Sequence, residues 1–173
     1  EDFIAGALAG MEHFRDAARR SGAELVVFPE TTLGGHVRED QPHPRQLPPS
    51  LDLDGPEVAA VIDMAGDTVV CFGLTTEEGG ERRNVALCVT GDGILGRHDK
   101  VHLPPAERFA YTPGTGFAAF DTPVGRIGMV VCYDKLFPEA VRALALDGAE
   151  TICSLAAWPL DRHRPAPFAM DDR

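Results

Sequence analysis

Basic residues are scarce in this chain. Lys plus Arg number 16 against 27 Asp plus Glu, a formal net charge of -11. So acidic a surface repels phosphate backbones and anionic membrane surfaces, so neither nucleic-acid binding nor membrane attachment is expected. Long apolar runs are lacking too, and none approaches the ~20 residues of a membrane span. The first residues carry no basic region followed by an apolar region and a cleavage site. They also lack an initiator Met, and Glu1-Asp2 leads straight into a helical pattern, so residues are expected to be missing in front. C-x-x-C spacing is absent, which argues against a zinc ribbon or a thioredoxin-type redox motif.

What is present is ordinary. The chain has 173 residues, 44% of them apolar and 25% charged, with 18 Gly and 14 Pro. That length fits a single domain over 1–173 with enough core to need no staples, and the composition excludes disordered and fibrous classes. Cys71, Cys88 and Cys153 each lie in a short apolar run. They read as buried strand residues in a reducing compartment, which points to the cytoplasm.

Helices alternate with strands. Residues 3–20 place Ile4, Leu8, Met11, Phe14 and Ala18 on one stripe. Residues 24–28 are continuously apolar, as a strand buried on both faces would be. Residues 36–50 carry Pro42, Pro44, Pro48 and Pro49 among charges and read as a long loop. A helix is expected over 55–66, strands over 68–74 and 84–90, then a turn at Gly91-Asp92-Gly93 into a strand over 94–96. Strands over 117–121 and 126–131, a helix over 138–146 and a strand over 151–155 complete the pattern. Alternation with hairpins mixed in indicates a layered α/β fold.

Three polar residues follow buried strands. Glu30 comes after Val26-Val27-Phe28-Pro29, Lys100 after the 94–96 strand, and Cys132 after Gly128-Met129-Val130-Val131. Strand ends are where layered α/β folds bind ligands. Each has a plainer reading: a solvated carboxylate, a surface lysine, a core thiol. Cys132 stands apart, because a strand-to-helix elbow can present a side chain outward near converging N–H groups and a helix N-terminus.

These segments resemble the nitrilase (carbon–nitrogen hydrolase) superfamily. The matching stretches are Leu25-Val26-Val27-Phe28-Pro29-Glu30, Gly96-Arg97-His98-Asp99-Lys100-Val101-His102-Leu103, and Gly128-Met129-Val130-Val131-Cys132-Tyr133-Asp134 followed by Phe137-Pro138-Glu139. The resemblance implies a four-layer α-β-β-α sandwich, here incomplete at both ends, pairing into homodimers or larger assemblies, with no cofactor and no metal. It places the catalytic Glu, Lys and Cys on Glu30, Lys100 and Cys132, and an assisting Glu on Glu107. A thiolate attacks carbonyl carbon, a carboxylate serves as its base, and a nearby lysine supplies charge where the oxyanion forms. The implied activity is hydrolysis of a non-peptide C–N bond in a small linear amide or carbamoyl compound. Cys132-Tyr133-Asp134 is similar to the amidase and carbamoylase branches rather than to the nitrilases. Tyr133, whose backbone N–H would help to hold the oxyanion, and Trp158, the only Trp, fall where relatives bind substrate.

Other readings stay open on the sequence alone. His98 or His102 could serve Cys132 in a Cys–His hydrolase, or the two could form a helix-borne zinc pair, although Gly96 and Pro104-Pro105 make a helix there doubtful. The same catalytic residues could hydrolyse nitriles or transfer acyl groups. A non-catalytic fragment with open sheet edges is the remaining alternative.

Overall fold

The computed structural model describes residues 2–37 and 47–157. Two helices open the outer layer, α1 (Asp2–Arg20) and α2 (Pro56–Ala65). Pro56 and Glu57 suit the first turn of α2, one by its fixed φ and the other by its charge against the helix dipole. Along α1, Met11 is buried and Ile4 and Leu8 pack beside it. Phe14 sits at the flank of that stripe and is exposed rather than part of it.

The first sheet holds β1 (Leu25–Val27), β2 (Val69–Glu78), β3 (Glu81–Thr90) and β4 (Gly93–Asp99), in that order. β1 runs parallel to β2, and the other neighbours are antiparallel. The second sheet holds β5 (Phe120–Thr122), β6 (Gly125–Val131) and β7 (Thr151–Leu155), with β6 and β7 parallel. Helix α3 (Pro138–Leu146) covers it.

Alternation along the strands builds the layers. In β2 and β3, Val70, Phe72, Leu74, Val85, Leu87 and Val89 face Met11, Val58 and Val61 of the helices. Their neighbours Val69, Cys71, Ala86 and Cys88 face the second sheet, meeting Ile127, Met129, Val131, Cys153 and Leu155. Val130 points the other way, onto Ala140 and Leu144 of α3. The order is therefore helices, sheet, sheet, helix: the four-layer sandwich. Each fully buried Val, Leu or Phe contributes about 1.5–3 kcal/mol. Cys71, Cys88 and Cys153 are free and buried, as their apolar runs imply.

Several expectations change. β1 spans three residues, and Val27 is exposed, because among the described residues β1 pairs only with β2 and lies at the sheet edge. β2 and β3 extend well past 74 and before 84 into a polar hairpin arm that turns at Gly79 and Gly80, both at positive φ. Paired registry of Glu77 with Arg82 and Thr76 with Arg83 carries that arm. The 117–121 strand shrinks to Phe120–Thr122. The ring of Phe120 lies where a Cβ on Gly96 would be, so the two sheets approach closely beside the end of β4.

Candidate active site

Strand ends of both sheets deliver the side chains the sequence singled out. After β1 the chain keeps following β2: the Phe28 N–H donates to Cys71 O at 2.8 Å and the Leu33 N–H to Gly73 O at 3.1 Å. Between them the backbone kinks at Thr31, at φ +48, and turns Glu30 inward. This path requires Gly73, since a Cβ there would stand 2.8 Å from Glu30 Cα and closer still to the Thr31 nitrogen. β4 ends at Lys100, whose N–H donates to Asn84 O at 2.9 Å and whose carbonyl accepts from Gly114 N–H at 2.8 Å. β6 ends at Cys132, at φ +46, which opens a 3-10 turn over Cys132–Leu136 before α3 begins at Pro138. The expected elbow is present, with a 3-10 turn interposed.

Four of the six named residues meet in one buried cluster. Lys100 Nζ donates to Glu30 Oε1 at 2.7 Å and to both oxygens of Glu107 at 2.8 Å. Glu30, Lys100 and Glu107 are each 2% exposed or less, so Glu107 is no surface carboxylate. The half-buried Cys132 lies within electrostatic reach of both Glu30 and Lys100. Glu30 also accepts from Asn84 Nδ2 at 2.8 Å and from the Ala157 N–H at 3.1 Å. His36 Nε2 stands 3.5 Å from Glu107 Oε1.

Burial and charge set the protonation states. Burial pushes the Glu30 carboxyl up, but the Lys100 ammonium and its hydrogen bond more than offset this, and the group ends below its ordinary value. Glu107 ends above its ordinary value, because burial and the Glu30 charge outweigh the same lysine. Lys100 loses hydration but gains two carboxylates, and its pKa rises. Burial, then the Glu30 charge, push the Cys132 thiol up to about 11. Cys132 therefore rests as a thiol beside an ionised carboxylate.

Of the other two named residues, Tyr133 lies outside this cluster. Tyr133 packs edge-on against Phe137 and lines a cavity of about 490 Å³ with Leu103, Arg108 and Tyr111. Trp158 falls outside the described residues. The two histidines serve Asp134 instead of Cys132: His98 Nε2 lies 2.9 Å from Oδ2 and His102 Nδ1 3.0 Å from Oδ1. His98 sits in β4 and His102 beyond it, so no helix carries them as a metal pair. Among the described residues, Glu30, His36 and Glu107 could together reach a metal ion, their ligand atoms lying within 4.8 Å of one another. The Lys100 ammonium already holds both carboxylates, and a second cation there would be repelled.

Residue patterns left some partners unmarked. Asn84 is a lone amide opening an apolar strand, and that was its one signal. Gly73 inside β2 signalled a close backbone approach. Asp134 was legible only as part of the Cys132 segment. His36 carried no signal.

Comparison with known proteins agrees with this fold. The family model described as carbon-nitrogen hydrolase matches residues 1–168. A nitrilase from Pyrococcus abyssi is 34% identical over 160 residues, covering 90% of this chain and 59% of that protein. An N-carbamoylputrescine amidase from Solanum tuberosum is 30% identical, covering 87% of this chain and 53% of that one. The chain thus spans a little over half the length of these relatives. Among solved structures, a carbon-nitrogen hydrolase from Helicobacter pylori superposes with a TM-score of 0.80 at 25% identity, covering 94% of this chain and 58% of its own. An amidase from Nesterenkonia superposes at 0.78 and 26% identity, covering 92% and 61%. A Glu-to-Gln mutant of that amidase carries acrylamide added at its active-site cysteine. Motifs, four-layer fold and family match coincide over nearly the whole chain, which belongs to the carbon–nitrogen hydrolase family.

Proposed function

We propose that the full-length protein hydrolyses a non-peptide C–N bond in a small linear amide or carbamoyl compound, through a thioester on Cys132. The observation that carries this reading is the buried cluster in which one ammonium bridges Glu30 and Glu107, with the half-buried Cys132 thiol beside the Glu30 charge. A thiol near 11 offers almost no free thiolate at neutral pH. Forming one first would cost about 5 kcal/mol at 1.4 kcal/mol per unit. Attack therefore proceeds with proton transfer, and the neighbouring Glu30 carboxylate is placed to receive it.

The steps then balance. Glu30 takes the Cys132 proton as sulfur bonds to the amide carbon. Lys100 supplies positive charge where the oxyanion forms, and a backbone N–H near Tyr133 donates to it. Glu30 returns the proton to nitrogen, the C–N bond breaks, and ammonia or an amine leaves. Glu30 next deprotonates a water that attacks the thioester. The C–S bond breaks, the acid departs, and the proton returns to sulfur. Glu107 shares the lysine and keeps its ammonium between the two carboxylates. The Tyr133 and Trp158 side chains are assigned to substrate contacts. A homodimer belongs to the same reading on the family resemblance, and a reducing cytoplasm on the free, buried Cys71, Cys88 and Cys153.

Amides are favoured over nitriles by Cys132-Tyr133-Asp134, while the Pyrococcus relative keeps nitriles on the panel. Ammonia release by the full-length protein tests the reading, with short aliphatic amides, omega-amides, N-carbamoyl compounds and nitriles as substrates. Release from one class, abolished in Cys132→Ala, supports it. No release from any, with the protein folded and its thiol titratable, overturns it.

A further inference from the structure

The cluster that holds the reacting groups has a second cluster behind it. Asp134 lies two residues after Cys132, is fully buried, and carries a carboxylate that meets four donors. Oδ2 accepts from the Val131 N–H at 3.1 Å and faces His98 Nε2 at 2.9 Å. Oδ1 accepts from the His102 N–H at 2.8 Å and faces His102 Nδ1 at 3.0 Å. The ionised carboxylate accepts only, so it selects the tautomers with hydrogen on His98 Nε2 and His102 Nδ1. The rings are wedged by aromatics: His102 stacks on Phe137 at 3.9 Å between centroids, and His98 on Phe117 at 5.2 Å.

The spacing gives this arrangement its meaning. His98 and His102 flank Lys100 by two residues on either side, while Val131 and Asp134 flank Cys132. One carboxylate therefore ties the lysine segment of the first sheet to the nucleophile turn of the second. Cys132 needs such a tie, because it stands in the left-handed region, which a non-glycine residue keeps only when its surroundings hold it there. We infer that Asp134, through His98 and His102, is a positioning residue that sets the distance between the Cys132 sulfur and the Lys100 ammonium. This rests on the roles proposed above for those two groups.

Asparagine cannot replace Asp134. Each carboxylate oxygen accepts from one backbone N–H, and a backbone N–H cannot become an acceptor. Whichever way the amide is turned, its NH₂ faces a main-chain donor. A histidine can change tautomer, but Val131 and His102 N–H cannot.

The test uses the full-length protein and the variants Asp134→Asn, His98→Gln, His98→Leu, His102→Asn and His102→Leu. Gln at 98 and Asn at 102 keep an N–H where Nε2 and Nδ1 stood, and Leu removes it. Activity is expressed per folded protein, taken from the native fraction in each variant's unfolding transition, so loss of folded protein does not register. Misplacement by about 1 Å costs on the order of 100-fold in rate. Asp134→Asn and the two Leu variants should therefore lose kcat by about that factor with KM within a few-fold, and the Gln and Asn variants should recover most of it. Unchanged kcat per folded protein in Asp134→Asn overturns the inference, as does equal loss in the Gln and Leu variants at 98. Iodoacetamide alkylation of Cys132 follows the same series without any substrate. Should wild type hydrolyse nothing, an altered alkylation rate in Asp134→Asn that is restored in His98→Gln relative to His98→Leu would still support the tie, and an invariant rate would refute it.

Discussion

Replacing Lys100 by Met should reverse how stability depends on pH. The lysine is 1% exposed and stands between two carboxylates that are themselves buried. Among the described residues, removing it leaves Glu30 with Asn84 and the Ala157 N–H, but leaves Glu107 with His36 at 3.5 Å. Stranding a buried charge costs about 3–5 kcal/mol. In the wild type, Glu30 is depressed below 4.5, so its contribution is present above that pH and is lost as pH falls through its folded value. Lys100 is raised above 10.5, so its contribution is present below that pH and is lost as pH rises through its folded value. Both favour the interval in between, while the raised Glu107 alone works against it.

In Lys100→Met the first two contributions vanish and both carboxyls are raised by burial. Their stability is then present below 4.5 and lost as pH rises through the new values, at up to 1.4 kcal/mol per unit per proton. At pH 8 the full penalty applies. At pH 5 Glu107 holds its proton and much of the penalty disappears. With roughly 2–4 °C of Tm per kcal/mol, the variant should melt about 10 °C below wild type at pH 8, and the gap should narrow by at least half at pH 5. Melting curves of both proteins at the two pH values decide it. An equal gap at pH 5 and pH 8 would refute the shared-lysine reasoning, because a lost packing contact does not titrate.

Other perturbations separate the roles further. Glu30→Gln should abolish hydrolysis yet speed alkylation of Cys132 at pH 8, because it removes a charge that raises the thiol while Lys100 remains to lower it; iodoacetamide kinetics at several pH values read this, and slower alkylation contradicts it. Gly73→Ala drives a Cβ into the backbone of Glu30 and Thr31 and should cost on the order of 100-fold in kcat, with about 1–3 kcal/mol of stability. Wild-type kcat in a folded Gly73→Ala protein would show that Glu30 does not depend on that approach. Gly96→Ala meets the Phe120 ring and should destabilise by about 1–3 kcal/mol. Phe120→Ala in the same chain should recover part of the loss, so a double-mutant cycle from denaturant melts should give a clear coupling energy, and strict additivity would exclude the contact.

The layers were legible where burial is one-sided. α1, α2, α3 and β7 fall almost where periodicity and Pro placement put them, since helix stripes and short apolar runs report directly on a core. The β2–β3 arm was missed because it is polar: Thr75–Arg83 has no apolar face to advertise it, although Gly79-Gly80 is the dipeptide a tight hairpin favours. Glu30 and Cys132 stood out because each ends an apolar run, and Lys100 because it follows the short 94–96 strand within a segment that resembles the family. Asn84 and Asp134 did not, because their partners lie 54 and 36 positions away and no local pattern encodes a contact at that range.

The site needs two sheets, and that explains its backbone. Facing sheets stand about 10 Å apart. Glu and Lys have enough length to cross much of that gap, and Lys100 reaches both carboxylates from an ordinary strand end. Cysteine has one carbon before its sulfur, so the main chain must travel instead. Among the described residues, the non-glycine residues at positive φ are Thr31 and Cys132. One follows Glu30 and the other is the proposed nucleophile, each past the end of a strand in a different sheet. Holding such a conformation costs about 1–3 kcal/mol. The surrounding order must exceed that at both places: Gly73 makes room under Thr31, and Asp134 binds the turn after Cys132. A chain that only needed to be stable would put glycine at 31 and 132. The strain is retained where a short side chain has to meet a carboxylate across the interior, which is where thiol chemistry on a carbonyl carbon requires it.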